Sequence, residues 1–225
     1  MPTQTKNIAF TTQDQCEIRG TMYVPEASNG GAIICLHQLR LDRSTYDHFA
    51  HEMATRGFYV LAIDLRGHGE STNIQGKTLT HESMTEDDFR KIPGLDVESA
   101  KSFLMHEYKI NPESIGLVGA SIGANAALIS AGRNPQTSFV VALSPGIDYR
   151  GIQPGNDVSQ IQKPVLLLTS QEDTYSAASC NELFPRIPAQ EKQIQVVETN
   201  EHGTNLFHDP ELEKFVCDWI SHVTR

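Results

Sequence analysis

Gly119-Ala120-Ser121-Ile122-Gly123 is a G-x-S-x-G pentapeptide that lies between an apolar run and an alanine-rich run. Residues 114–118 predict a short buried strand, and residues 124–131 predict a helix with small residues on its buried face. In such a strand–turn–helix the serine adopts a strained backbone conformation that exposes its oxygen, and the two glycines let strand and helix approach closely. The N–H of Ile122 lies at the start of the helix, where the helix dipole favours a developing oxyanion. The pentapeptide therefore predicts a nucleophilic serine.

Strands and helices alternate on both sides of this pentapeptide. Two strands joined by a polar turn come first, which predicts an antiparallel start. The predicted strands are residues 6–10, 17–24, 32–36, 59–63, the strand before Ser121, 139–143, 164–169 and 193–197. The predicted helices are residues 44–56, 95–106, the helix after Ser121, 177–184 and 210–223. This order predicts an α/β fold with a mostly parallel twisted sheet of about eight strands and helices on both faces. The loop after residue 143 is too short for a large lid.

Length and composition predict one domain over residues 1–225. A chain with 39% hydrophobic residues can bury one substantial core, and its composition does not shift along the chain. The net charge of −10 and the lack of a Lys/Arg cluster argue against nucleic acid and an anionic membrane surface as partners. No stretch has the length of a membrane span, and residues 1–10 lack the apolar core of a signal peptide. A cytoplasmic location is expected, whereas the sequence does not predict an oligomeric state.

The cysteines and histidines do not suggest a metal site. The four cysteines are widely separated and lack C-x-x-C spacing, which favours reduced packing thiols over disulfides or zinc ligands. The histidines also lack the spacing of metal ligands. Neither a metal nor another cofactor is expected.

A nucleophilic serine requires a base and a group that orients the base. On a parallel sheet the acid and then the histidine follow the serine, each in a loop after a later strand. Asp173 follows the predicted strand at 164–169, and His202 follows the predicted strand at 193–197. Because these loops leave the carboxyl ends of parallel strands, we expect Ser121, Asp173 and His202 to converge at one edge.

Other residues compete for two of these roles. Glu172 adjoins Asp173, and Asp148 follows the strand after the nucleophile helix, a position that some enzymes of this type use for the acid. His208 lies a few residues beyond His202, just before the last helix, and its simplest role is at the start of that helix. Asp173 and His202 are preferred because each lies in the loop where its role is usually found.

The loop after the strand at 32–36 is expected to supply the second oxyanion donor. It contains His37-Gln38-Leu39-Arg40, and the N–H of Leu39, with that of Gln38 as the alternative, is predicted to act together with the N–H of Ile122. His37 is interpreted as a brace of this loop rather than a catalytic group.

Two further segments support a family resemblance. Residues 64–71 have the pattern D-x-R-G-x-G-x-S, and residues 142–150 contain Ser-Pro-Gly-Ile-Asp-Tyr-Arg. With the pentapeptide, these segments make the chain resemble the α/β-hydrolase superfamily, near small bacterial carboxylesterases and dienelactone-hydrolase-like proteins. In the resemblance Asp64 and Arg66 brace the structure and His68 is structural. Tyr149 and Arg150 line the pocket, with a surface ion pair as the alternative.

The sequence departs from that pattern at two positions. Dienelactone hydrolases carry a cysteine where this chain has Ser121, so the resemblance implies cleavage of esters or thioesters instead. The common His-Gly of the oxyanion loop is His37-Gln38 here, which places the Gln38 side chain at the acyl pocket. The resulting hypothesis is a serine esterase for small or short-chain acyl esters. The alternatives are a thioesterase or peptidase with the same triad, or a non-catalytic ligand-binding protein.

Overall fold

The apolar run at residues 32–36 forms the middle strand of a sheet in the computed structural model, which describes residues 4–225. Among these residues the sheet has ten strands in the order β10-β9-β8-β7-β3-β4-β2-β5-β6, and β1 pairs with β2. The strands are β1 (Gln4–Thr11), β2 (Cys16–Val24), β3 (Ala32–Leu36), β4 (Tyr59–Ile63), β5 (Asn73–Ile74), β6 (Lys77–Thr78), β7 (Ile115–Ala120), β8 (Val140–Leu143), β9 (Val165–Ser170) and β10 (Lys192–Val197).

The six strands from β4 to β10 along this order are parallel, whereas β1, β2 and the β5–β6 hairpin pair antiparallel. The mostly parallel sheet and its antiparallel start are therefore confirmed. The expected number of about eight strands is too low, because β5 and β6 have two residues each and are too short to show an alternating pattern. Gln75 and Gly76 join them with φ angles of 52° and 76°, the left-handed pair that suits a tight hairpin turn.

Six α-helices cover the two faces of the sheet. They are α1 (Asp47–Thr55), α2 (Glu86–Lys91), α3 (Glu98–Glu107), α4 (Ile122–Arg133), α5 (Thr174–Leu183) and α6 (Pro210–Val223). α1 and α6 pack on one face, while α3, α4 and α5 pack on the other. All five residues of β3 are buried, and successive side chains enter the two cores in turn. Helices on both faces explain why this strand is apolar throughout.

The segment before α3 differs from the prediction. Residues 72–91 are polar and acidic and carry no predicted strand or helix, but α2 lies within them, and a π-helical turn at Ile92–Val97 joins α2 to α3. Thr85 caps α2 in a capping box with Asp88, whose side chain accepts a hydrogen bond from the Thr85 N–H at 3.0 Å. The polar composition of the segment concealed this capping signal.

Within the described residues 144–164, between β8 and β9, the helical structure amounts to one 3₁₀ turn at Val158–Gln160. No large lid covers the carboxyl edge of the sheet in this part of the chain. None of the helices in residues 4–225 has the length and apolar character needed to span a membrane.

Candidate active site

Ser121 lies at the sharp turn between β7 and α4. Its φ and ψ angles of 53° and −114° are outside the regions that a non-glycine residue usually adopts. The flanking glycines are needed for space: a Cβ on Gly119 would lie 2.2 Å from the Gly123 carbonyl oxygen, and one on Gly123 would lie 2.2 Å from the Leu36 carbonyl oxygen. The chain thus stores strain at one residue, as functional turns often do.

Asp173 and His202 are held together at the same edge. The Nδ1 atom of His202 lies 2.6 Å from Oδ2 of Asp173, while Oδ1 accepts a hydrogen bond from the Ser176 N–H at 3.2 Å. Burial raises the pKa of the Asp173 carboxyl, but the hydrogen bonds from His202 and Ser176 outweigh burial and leave it below the ordinary value. An ionised Asp173 accepts a hydrogen bond from the Nδ1–H, which leaves Nε2 of a neutral His202 ring as an acceptor.

The Ser170 side chain links the two loops that carry Asp173 and His202. The Ser170 hydroxyl donates to the Glu201 carbonyl oxygen at 2.7 Å and accepts from the Asp173 N–H at 3.2 Å. β9 and β10 pair in parallel up to Val197 and Ser170, so both loops leave the sheet side by side.

A cavity of about 340 Å³ is lined by the other residues that the sequence predicts for the site. Its lining consists of Gln38, Leu39, Arg40, Ser121, Ile122, Asp148, Tyr149, Arg150 and His202. Asp173 lies behind His202. A larger cavity of about 420 Å³ lies at the opposite edge, where strands begin, and contains none of the predicted site residues. The smaller cavity is the candidate active site because chemically active side chains converge there.

The competing acids and histidine do not form this arrangement. The Asp148 carboxylate accepts from the Gly151 N–H at 2.7 Å and from Nε2 of Gln153 at 2.6 Å. Glu172 is exposed, and the His208 side chain is 72% exposed with its Nδ1 3.8 Å from Glu201. The structure thus brings Asp173 to His202, in preference to Asp148 or Glu172.

His37 is fully buried and braces the loop opposite Ser121. Its Nε2 accepts a hydrogen bond from the Leu65 N–H at 3.0 Å, so Nδ1 carries the proton and donates to the Gln38 carbonyl oxygen at 2.8 Å. Burial lowers the pKa of His37 to about 3, and the ring is neutral at physiological pH. The Leu41 N–H donates to the same Gln38 carbonyl at 3.3 Å.

The Gln38 side chain joins this loop to the loop after His202. Its Oε1 accepts hydrogen bonds from the Thr204 N–H at 2.7 Å and from the Thr204 hydroxyl at 3.1 Å. Gly203 makes room for the contact, since a Cβ there would lie 1.9 Å from Oε1. Sequence reasoning placed Gln38 at the substrate pocket and missed this link, because pairing between residues 38 and 204 leaves no local pattern.

Tyr149 covers one side of the cavity. Its ring stands nearly perpendicular to the His202 ring, at 85° with 6.2 Å between centroids, and its hydroxyl lies 2.9 Å from the Ser176 hydroxyl. The same hydroxyl is within hydrogen-bonding reach of Ser121, and burial raises its pKa to about 12. Ser144 was not singled out from the sequence, yet its hydroxyl accepts from the Gly203 N–H at 3.0 Å.

The D-x-R-G-x-G-x-S segment at residues 64–71 is held by buried ion pairs and hydrogen bonds. Arg66 is fully buried and pairs with Asp96, which is also fully buried, at 2.7 Å, and with Asp14 at 2.8 Å. Asp64 accepts from the backbone N–H groups of Arg43 and Glu70, each at 2.8 Å. The bracing roles expected of Asp64 and Arg66 agree with these contacts.

Potential metal ligands do not cluster in residues 4–225, and the cysteines there are buried. No group of three or more His, Cys, Asp or Glu residues there is arranged to hold a metal ion. All four cysteines are buried and free. Burial raises the pKa of the Cys16, Cys180 and Cys217 thiols to about 12, so these thiols are protonated at neutral pH.

Comparisons with known proteins bear on the family and the fold of the chain. A family model described as serine aminopeptidase, S33, matches residues 27–157, more than half of the chain. A thiohydrolase of Aspergillus aculeatus is 26% identical over 204 residues, which are 89% of this chain and 59% of that protein. The chain therefore spans about three fifths of the length of that relative.

Two solved structures share the fold. An esterase of Pyrococcus furiosus superposes with a TM-score of 0.81 at 20% identity, covering 99% of this chain and 92% of that one. A dienelactone hydrolase of Anabaena variabilis superposes with a TM-score of 0.74 at 20% identity, and both chains are covered completely.

Proposed function

Because the chain belongs to the serine aminopeptidase S33 family of α/β-hydrolases, we propose that it is a serine hydrolase that cleaves small carboxylic esters through an acyl-enzyme on Ser121. The observation that carries this proposal is the 2.6 Å contact between His202 and Asp173 beside a cavity that Ser121 also lines. An oriented base next to a strained serine that lines a cavity is the arrangement that acyl transfer requires.

In the proposed mechanism, Nε2 of His202 takes the Ser121 proton as Oγ attacks the ester carbonyl carbon. The Tyr149 hydroxyl is within hydrogen-bonding reach of Ser121, so Oγ must leave that contact before its proton passes to Nε2. The tetrahedral intermediate then expels the alcohol, which receives its proton from His202. Water activated by the same histidine attacks the acyl-enzyme and releases the acid. Asp173 holds the ring and stabilises its charged form throughout.

The N–H groups of Ile122 and Leu39 are proposed to bind the oxyanion. Ile122 begins α4, so its N–H lies at the positive end of the helix. The Gln38 carbonyl is directed toward His37 and Leu41, and a trans peptide points the following Leu39 N–H the opposite way. Each such donor typically lowers the barrier by about 3 kcal/mol.

The size of the cavity supports small acyl groups. About 340 Å³ is near the lower end of the range for ligand pockets. Leu39, Ile122 and Tyr149 supply apolar surface for a short acyl chain.

Turnover of 4-nitrophenyl acetate, butyrate and octanoate tests the proposal. We expect hydrolysis that favours the two shorter esters, and a loss of kcat on the order of 10⁴-fold or more in Ser121→Ala. Ser138→Ala is the matched control, because Ser138 lines the cavity at the opposite edge and its loss leaves the reaction unaffected. A Ser121→Ala protein with a kcat within tenfold of the unaltered chain would exclude this nucleophile.

A second candidate function is thioester cleavage, which the thiohydrolase relative favours. Ser121 would attack either carbonyl carbon with the same triad, so the two functions differ only in the leaving group, an alcohol or a thiol. Butyryl-N-acetylcysteamine and ethyl butyrate share one acyl group, and the ratio of their kcat/KM values, compared with their uncatalysed ratio, distinguishes the two functions.

A further inference from the structure

The arginines at the candidate active site differ from most others in the chain. Seven of the ten arginines form ion pairs with Asp or Glu. Arg40, Arg150 and Arg225 have no carboxylate within ion-pair distance among residues 4–225. Two of these three, Arg40 and Arg150, line the cavity that contains Ser121 and His202. The candidate site therefore holds two guanidinium groups that pair with no carboxylate of residues 4–225.

The backbone holds these two arginines in place from separate loops. Arg40 follows β3 with a φ of 68°, and Arg150 follows β8 with a φ of 55°. Arg150 lies in a tight turn closed by hydrogen bonds between Tyr149 and Ile152 of 2.9 and 3.3 Å. Left-handed backbone is uncommon for arginine. Residues that adopt it with less strain would be expected at both positions if the side chain had no role.

Asp148 and Asp173, the acids at this site, form no ion pair with either arginine. Asp148 lines the same cavity, but its two oxygens accept hydrogen bonds from Gly151 and Gln153. Asp173 is engaged with His202. The Arg150 guanidinium lies 6.0 Å from the centre of the Phe89 ring, and Arg40 acts on Glu82 through a longer-range charge interaction. Both guanidinium groups therefore keep hydrogen-bond donors for a ligand.

We propose that the substrate carries an anionic oxygen group, a carboxylate or a phosphate, which Arg40 and Arg150 bind at the rim of the cavity. The inference rests on the proposed function, since the anionic group is placed at the end of the acyl chain that is remote from the ester carbonyl. A planar guanidinium donates two parallel hydrogen bonds to either group, and the two arginines reach the same cavity from separate loops. With a net charge of −10 the whole protein repels anions, so recognition of an anion needs such local cations.

Matched esters test the charge requirement. Mono(4-nitrophenyl) adipate and methyl 4-nitrophenyl adipate have the same acyl chain and leaving group, but only the first carries a charge. We expect kcat/KM for the anion to exceed that for the neutral ester about tenfold at low salt, with the ratio falling at 0.5 M NaCl. Glutarate and suberate analogues locate the reach of the arginines. A 6-phosphonooxyhexanoate ester distinguishes phosphate from carboxylate.

Substitutions assign the effect to the arginines. Arg40→Gln and Arg150→Gln are each expected to reduce the anion-to-neutral ratio about threefold, and the double variant to abolish the preference. Lys109→Gln is the control, because Lys109 is an exposed cation with a φ of 56° that does not line the cavity. An anion-to-neutral ratio of kcat/KM that lies within twofold of unity in the unaltered protein would overturn the inference. So would a preference for the anion that survives in the double variant.

The failure of each proposal has its own signature. Hydrolysis of the neutral ester that does not depend on Ser121 contradicts the proposed function. Binding of monomethyl adipate to Ser121→Ala, measured by calorimetry, tests the inference without turnover. We expect binding that the Arg40→Gln/Arg150→Gln substitutions remove, and equal heats with and without these substitutions contradict the inference.

Discussion

Replacing Gln38 by leucine tests whether the link between the two loops positions the proposed base. The leucine keeps the approximate volume but removes the oxygen that accepts hydrogen bonds from the Thr204 N–H and hydroxyl. Thr204 is 5% exposed, so water does not readily replace the lost acceptor. A buried donor left unsatisfied costs about 1–3 kcal/mol. The hydroxyl can rotate, whereas the backbone N–H cannot, so one such donor sets the expected magnitude.

If this free energy displaces His202 in the active protein, kcat for 4-nitrophenyl butyrate falls by about 10- to 100-fold, since about 1.4 kcal/mol corresponds to tenfold. KM is expected to change less, because the other residues that line the cavity remain. Gln38→Glu is the conservative control: its carboxylate accepts from the same two donors and is expected to restore most of kcat. Urea unfolding of both variants separates a displaced loop from a general loss of stability.

A kcat for Gln38→Leu within twofold of the unaltered protein, at unchanged stability, would refute this reasoning. So would a Gln38→Glu variant as slow as Gln38→Leu, because the acceptor then has no influence on the base.

Three further predictions concern a buried histidine, a buried ion pair and the thiols. His37 has a pKa of about 3 in the folded chain and an ordinary value near 6.5 when unfolded, so the unfolded chain binds more protons between these values. Its contribution to the free energy of unfolding is therefore full above pH 6.5 and declines by about 2 kcal/mol between pH 7 and pH 5, a loss that His37→Gln should lack in urea titrations. Arg66→Met leaves the Asp96 carboxylate buried without its partner and is expected to reduce the free energy of unfolding by about 3–5 kcal/mol; a loss under 1 kcal/mol would contradict the pairing. Iodoacetamide at pH 7.5 should leave esterase activity unchanged, since the cysteines are buried and their pKa values are raised.

The sequence was sufficient for the architecture because the parallel strands are buried on both faces. β3 and β7 have uninterrupted apolar sequences, and the turn at Ser121 joins one of them to a helix of small residues. A rule about chain order then placed Asp173 and His202 in loops that the structure brings together. Local patterns and the topology of parallel sheets carried that part of the prediction.

The remainder depends on contacts that are distant in sequence or on very short elements. The β5–β6 hairpin has two residues in each strand, and α2 is hidden in a polar segment. Gln38 meets Thr204 across 166 positions, and the role of its side chain follows from that meeting. Such pairings are set by how the loops pack, and a single sequence contains no periodicity that reports them.

Mass spectrometry of the intact protein after reaction with a fluorophosphonate probe tests the central claim most directly. An activated serine reacts covalently with the phosphorus, whereas an ordinary serine hydroxyl is a poor nucleophile at neutral pH. We predict one adduct per chain, mapped by peptide sequencing to Ser121 and absent from Ser121→Ala. Labelling of the unaltered chain that persists in Ser121→Ala, or no labelling of the folded protein at all, would contradict the assignment of Ser121 as the nucleophile.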